Sequence, residues 1–134
     1  MKIIIPGKPI PKHRPRFAGN HAYNDQSQIM NHYAHLIRCQ YGLAYQLPGP
    51  IEISVLFFMP LPAKCSKKLK AKLFNQYHDK KPDIDNCLKF IFDVISLSQA
   101  VYKDDRQIAS VTSKKLWSDN PRTEIEIYSL PEDI

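Results

Sequence analysis

The chain has 134 residues, of which 43% are hydrophobic and 24% charged, a composition that fits one globular domain and argues against global disorder. Its net charge of +6 predicts a polyanionic partner, either nucleic acid or an anionic membrane surface, with a merely solubilising surface as the alternative. No apolar run approaches the ~20 residues of a spanning helix. Cys39, Cys65 and Cys87 lack the spacing of a disulfide or zinc motif, which predicts reduced, packed thiols in a cytoplasmic protein.

Hydrophobic periodicity and punctuation by proline and glycine predict the order of elements. In chain order they are a strand at 1–5, an extended proline-rich arm at 8–17, a turn at 20–25, a helix that Asp25 or Ser27 caps and that runs to about Tyr41, a buried strand at 51–59, a short helix at 66–77, a helix at 83–98, and strands at 106–117 and 122–128. This β-α-β-α-β-β order predicts an α+β fold, in which helices pack on a small mixed sheet of about four strands. We expect one domain over residues 1–134.

Four aspartates stand out in this basic chain: Asp83, Asp85, Asp104 and Asp105. Carboxylates repel one another when a fold brings them together, so such a group indicates a divalent cation. A group of carboxylates that could bind a metal, in a basic protein, indicates an enzyme that hydrolyses phosphodiester bonds. Simpler interpretations remain open, because Asp83 could cap the helix that follows and the pair at 104 and 105 could be an acidic turn.

Helical spacing places Asp85, Lys89 and Asp93 along one polar stripe of the helix at 83–98. Mg²⁺ takes one or two carboxylates and keeps water and phosphate oxygens as its other ligands, which two or three aspartates and a lysine suit. If the strand at 106–117 runs beside the start of this helix, Asp105 faces Asp83 and Asp85. We expect Asp93 to pair with Lys89 or another neighbour rather than to take part in chemistry.

The motif Lys-Pro-Asp83-Ile-Asp85-Asn86-x-x-Lys89, followed by Phe92-Asp93 and by Tyr102-x-Asp104-Asp105-x-Gln107-Ile108, resembles the RusA family of Holliday-junction resolvases. The early segment Pro11-Lys-x-Arg14-Pro-Arg16 and the later Lys114-x-x-Trp117 are similar to phage and Gram-positive members. The resemblance implies a homodimeric endonuclease, dependent on Mg²⁺ or Mn²⁺, that nicks two opposed strands of a four-way DNA junction in recombination and repair. A prophage origin is consistent with it.

The resemblance also implies roles for individual residues. Asp83, Asp85 and Asp105 would bind the metal, Lys89 would be the catalytic lysine, and Asn86 and Asp104 would support them. We expect Lys12, Arg14 and Arg16 of the arm to lie against the DNA backbone, unless the arm is a subunit contact. An aromatic side chain such as Phe17 or Tyr23 would stack on bases opened at the crossover.

Other functions are also compatible with parts of the sequence. A non-catalytic basic DNA-binding module would need no metal, and a nuclease for other branched DNA would share the same site. A restriction-type nuclease is disfavoured because no Asp/Glu-x-Lys opens a later strand. A sugar-nucleotide transferase could use the Asp83-Ile-Asp85 pair, but such enzymes need a larger nucleotide-binding sheet.

Overall fold

A four-stranded mixed sheet with helices on one face organises the computed structural model, which describes residues 2–42 and 46–131. The elements are β1 (Lys2–Pro6), β2 (Arg16–Ala18), β3 (His21–Tyr23), α1 (Ser27–Tyr41), β4 (Ile51–Pro60), α2 (Lys67–Leu73), α3 (Ile84–Ser98), a 3-10 helix (Asp105–Gln107), β5 (Ile108–Ser118) and β6 (Arg122–Ser129). The predicted α+β class is confirmed. None of the described helices is both long and apolar enough to cross a membrane.

The sheet has the order β1-β6-β4-β5, in which β4 is parallel to β5 and antiparallel to β6. The crossover between β4 and β5 carries α2 and α3, as parallel neighbours require. Alternate residues of β4, at 51, 53, 55, 57 and 59, are buried, so one sheet face is covered. The crossover brings both acidic segments to the same side of the molecule.

Two helices, α1 and α3, supply the rest of the core. The Tyr33 and Phe90 rings meet edge to face with centroids 5.5 Å apart. On α3 the buried side chains are Cys87, Phe90, Ile91, Val94, Ile95 and Ser98. The predicted apolar positions Ile84, Leu88 and Phe92 are only partly buried and border this stripe. They therefore lie at the edge of the core, beside the polar stripe.

The structure corrects several details of the predicted elements. Residues 21–23 form a strand rather than part of a turn, and they pair with residues 16–18 as a hairpin that turns at Gly19 and Asn20. Gln26, not Asp25 or Ser27, is the N-cap of α1, and no side chain caps it. Cys39 is exposed, so packing of all three thiols was a wrong expectation, although the three cysteines are free as predicted.

Candidate active site

A hollow of about 400 Å³ runs along the polar side of α3. Its lining is formed by Asp85, Leu88, Lys89, Phe92, Asp93 and Asp105. Leu88 and Phe92 give it an apolar wall, and the lysine and three carboxylates give it opposed charges. A second hollow of about 450 Å³, which Asp93 and Asp105 also line, continues toward Asp104 and Lys103. The fold thus places Asp85, Lys89 and Asp105 on the lining of one hollow.

Asp83 lies at the N-terminus of α3 but does not line these hollows. It is the N-cap residue by backbone position, yet its side chain makes no capping hydrogen bond. The chain just before it is anchored by Lys115 of β5, whose Nζ donates to the carbonyl oxygens of Lys80 and Pro82, each at 2.7 Å. The capping interpretation of Asp83 is therefore wrong, and its exposed carboxylate is left available.

The 3-10 helix before β5 positions Asp105. Asp104 caps it by accepting a hydrogen bond from the Arg106 amide at 2.9 Å. That bond holds the pKa of the Asp104 carboxyl below its usual value. Gln107 completes the capping box and donates from Nε2 to the carbonyl oxygens of Leu47 and Gly49, both at 2.9 Å. Asp104 thus holds the 3-10 helix in place, and Asp105, the first residue of that helix, is exposed.

Among the described residues, Asp83, Asp85 and Asp105 form no ion pair, as is also true of Glu52, Asp119 and Glu126. The acids that do form ion pairs are Asp25, Asp79, Asp93, Asp104 and Glu124. Of the six described acids that form no ion pair, Asp85 and Asp105 are the two that line the hollow beside Lys89. Their negative charge therefore remains available to a cation from solution.

Asp93 has a different environment from Asp85. It forms an ion pair with Lys12 of the arm, in which the Lys12 Nζ and Asp93 Oδ2 atoms are 3.4 Å apart. The partner is therefore Lys12 rather than Lys89. The Lys12 side chain is only 17% exposed, so this predicted DNA-binding cation is largely occupied within the protein.

The arm is bound to the body of the protein rather than lying free. The buried Gln26 amide accepts from the His13 backbone at 2.8 Å and donates to the Pro11 carbonyl at 2.9 Å. Between them the Lys12 amide donates to the Asn86 carbonyl of α3 at 3.0 Å. Asn86 therefore supports the arm through its backbone, while its side chain is exposed.

The remaining arm cations differ in their partners. Arg16 pairs with Asp25, with Nε and Oδ2 2.6 Å apart, and that contact keeps the pKa of the Asp25 carboxyl low. Arg14 is exposed, and no acidic partner for it lies in the described part of the chain. Of the three predicted DNA-binding residues, Arg14 is thus the one that forms no ion pair with the described residues.

Two further residues are buried: His78, which had no sequence signal, and Cys87, which was predicted to be a packed thiol. His78 is buried against Trp117, with ring centroids 4.3 Å apart, and burial followed by the charge of Lys115 lowers its pKa. Cys87 is buried, and burial raises its pKa to about 11, so this thiol stays protonated and is a poor nucleophile. The burial of His78 could not be predicted, because it depends on packing against Trp117, which is distant in sequence.

The donor set fits a magnesium ion completed by water and substrate. No three Asp, Glu, His or Cys side chains within residues 2–42 and 46–131 form a ready-made ligand group. Mg²⁺ does not need one, since it commonly binds one or two carboxylates plus waters and phosphate oxygens. Asp85 and Asp105 in one hollow meet that requirement, whereas a closed three-carboxylate cage is not formed by these residues.

Comparison with known proteins identifies the family of the chain. The family model described as endodeoxyribonuclease RusA matches residues 6–128. The chain is 30% identical over 136 residues to YqaN of Bacillus subtilis (strain 168), described as uncharacterized, covering 95% of this chain and 94% of that protein. It is 33% identical over 78 residues to a crossover junction endodeoxyribonuclease of Lactococcus phage r1t, a match that covers 58% of this chain and 53% of that protein. The chain belongs to the RusA family of endodeoxyribonucleases.

Proposed function

We propose that this protein resolves four-way DNA junctions by metal-dependent hydrolysis of phosphodiester bonds. The observation that carries the proposal is the hollow in which Asp85, Lys89 and Asp105 meet, with no cation of the described residues paired to either carboxylate. The family and the phage relative support DNA as the substrate. The charge of +6 supports a polyanion.

Asp85 and Asp105 would hold Mg²⁺, with Mn²⁺ as a substitute, and Asp83 would join them from the helix N-terminus. The ion would lower the pKa of a bound water and offset the charge that builds on the phosphate. Asp104 and Gln107 would keep Asp105 in place through the capping box. Lys115 would do the same for Asp83 through the preceding backbone.

Lys89 would stabilise the negative charge that develops on the phosphate during hydrolysis. It is exposed and stands one helical turn from Asp85 in the same hollow. Loss of a positioned electrostatic group of this kind costs about 10²-fold or more in rate. Lys89→Ala should therefore slow cleavage by about that factor and leave junction affinity almost unchanged, because one phosphate contact among many is a small share of binding.

Two subunits would act together. A four-way junction is close to two-fold symmetric, and paired cuts in opposed strands call for two sites related by a two-fold axis. Each chain would supply one active site, so a homodimer would act on the junction. Sedimentation of the protein alone and with a junction gives the stoichiometry directly.

The test is a substrate panel with purified protein. A mobile four-way junction, a flap and a linear duplex are each incubated with Mg²⁺ or with EDTA, and the products are mapped. The proposal expects cuts in the junction that need Mg²⁺. Equal cutting of flap and junction would support a general branched-DNA nuclease, and binding without any cutting would support a DNA-binding module. Cutting that persists in EDTA would contradict the requirement for a divalent metal ion.

A further inference from the structure

The hairpin of β2 and β3 presents an aromatic ring to solvent. All six of its strand residues are exposed, and Phe17 is 71% exposed. Its partner across the hairpin is Ala22, whose methyl group is too small to cover a phenyl ring. Phe17 also stands apart from the hydrophobic core and the side chains packed on it. The ring therefore does little for the fold, in contrast to most phenylalanines.

The base of the hairpin is fixed while its strands project. A two-stranded hairpin alone is marginal in water. Here Arg16 is held by Asp25, with 2.6 Å between Nε and Oδ2, and the preceding residues are held by the Gln26 amide. The Lys12 amide joins the same segment to Asn86 on the first turns of α3. The hairpin is thus mounted close to the candidate active site.

The charge around Phe17 suits a nucleic acid. Residues 8–24 contain four Lys and Arg and no Asp or Glu; Lys12 and Arg16 form ion pairs with Asp93 and Asp25, which leaves the charges of Lys8 and Arg14. Arg14 is exposed and has no acidic partner in the described ranges, and His21 stands on the second strand. A projecting aromatic ring among cations is the combination that proteins use to stack on unpaired bases while tracking the phosphate backbone.

We propose that the β2–β3 hairpin is a base-stacking element, in which the Phe17 ring stacks on a base unstacked at the branch point of the DNA. The inference rests on the proposed function and extends it to substrate selection. Every base has a π-face, so this contact selects open bases rather than a sequence. The hairpin would thus favour branched over linear DNA.

The experiment compares affinities in EDTA, so that binding is measured without cleavage. Wild type, Phe17→Ala and Phe17→Tyr are titrated against a four-way junction, a single-stranded oligonucleotide and a linear duplex. Tyr77→Ala is the matched control, since Tyr77 is also 71% exposed but lies on the segment bridged to β5. Circular dichroism and sedimentation show that each variant is folded and report its oligomeric state.

Loss of one stacked base predicts that Phe17→Ala weakens junction and single-strand binding by about tenfold. Duplex binding should be unchanged, Phe17→Tyr should restore affinity, and Tyr77→Ala should resemble wild type. Three results overturn the inference: unchanged affinities, an equal loss on duplex, or loss of a dimer, which would make the hairpin a subunit contact. Failure of the proposed function is separate, because a Phe17 effect on single strands would persist in a protein that cuts no junction.

Discussion

The Lys115 ammonium on β5 donates a hydrogen bond to the carbonyl oxygen of Pro82 at 2.7 Å, immediately before Asp83. The same strand begins just after Asp105 and the 3-10 helix that holds it. One strand therefore fixes both acidic segments relative to the sheet. Asp105 lines the hollows that run along α3 from Asp85 to Leu97, and Lys115 stands by the first turn of this helix.

We expect Asp85→Asn and Asp105→Asn each to reduce cleavage by at least ~10²-fold, because an amide keeps the shape but binds Mg²⁺ poorly. We expect Asp83→Asn to have a comparable effect, because its carboxylate would join the same ion. Junction affinity should be equal or higher, since negative charge is removed near phosphate. Single-turnover cleavage and a binding titration measure both, with Asp119→Asn as an exposed control. Near-normal cutting by any variant removes that residue from the site.

Lys115→Met should raise the Mg²⁺ concentration needed for half-maximal cleavage. The change leaves the Lys80 and Pro82 carbonyl oxygens without their donor, so the backbone before Asp83 loosens. The free energy of unfolding should also fall by about 1–3 kcal/mol. Lys114→Met, on the neighbouring exposed residue, is the matched control. An unchanged Mg²⁺ requirement with lower stability would limit Lys115 to a purely structural role.

The Lys12–Asp93 pair should contribute to stability rather than to chemistry. Because the two side chains are 17% and 36% exposed, we expect a coupling energy of about 0.5–1 kcal/mol between Lys12→Met and Asp93→Asn. A double-mutant cycle of urea unfolding measures it. Asp93→Asn should cut junctions far better than Asp85→Asn. A loss as deep as that of Asp85→Asn would place Asp93 in the reaction.

His78 should make stability fall on mild acidification. Its pKa in the folded protein is lowered from the ordinary 6.5, by burial first and then by the charge of Lys115. As the pH falls below about 6.5, the imidazole of the unfolded chain therefore binds a proton that the folded protein does not bind. Stability therefore decreases as pH falls from 6.5 toward the lowered pKa, with a slope of at most ~1.4 kcal/mol per pH unit. Urea unfolding from pH 7.5 to 5 measures it. His78→Phe should remove this slope, whereas the exposed His32→Gln should not.

The helix α3 and the long strands were predictable because their apolar residues recur at regular spacing. The position of Asp83 and Asp85 was also predictable, because their motif stands at the start of that helix. The hairpin was missed because its three-residue strands are exposed on both faces and so show no alternation. Only Gly19 and Asn20 marked its turn.

The partners of the arm could not be predicted, because they come from other parts of the chain. Lys12 meets Asp93, which is distant in sequence, and Gln26 binds the arm through one side-chain amide. Lys12 and Arg16, which we expected to lie against the DNA backbone, form ion pairs within the protein. The roles assigned to the site residues stay predictions.

The most direct test of junction resolution uses a supercoiled plasmid that extrudes a cruciform. A single nick relaxes the plasmid and removes the cruciform, so linear product requires two opposed cuts within one binding event. We predict linear molecules with ends at symmetric positions across the junction, formed with Mg²⁺ by the wild type and absent with Asp85→Asn. Nicked circles alone, or cuts outside the cruciform, would contradict resolution by a paired enzyme.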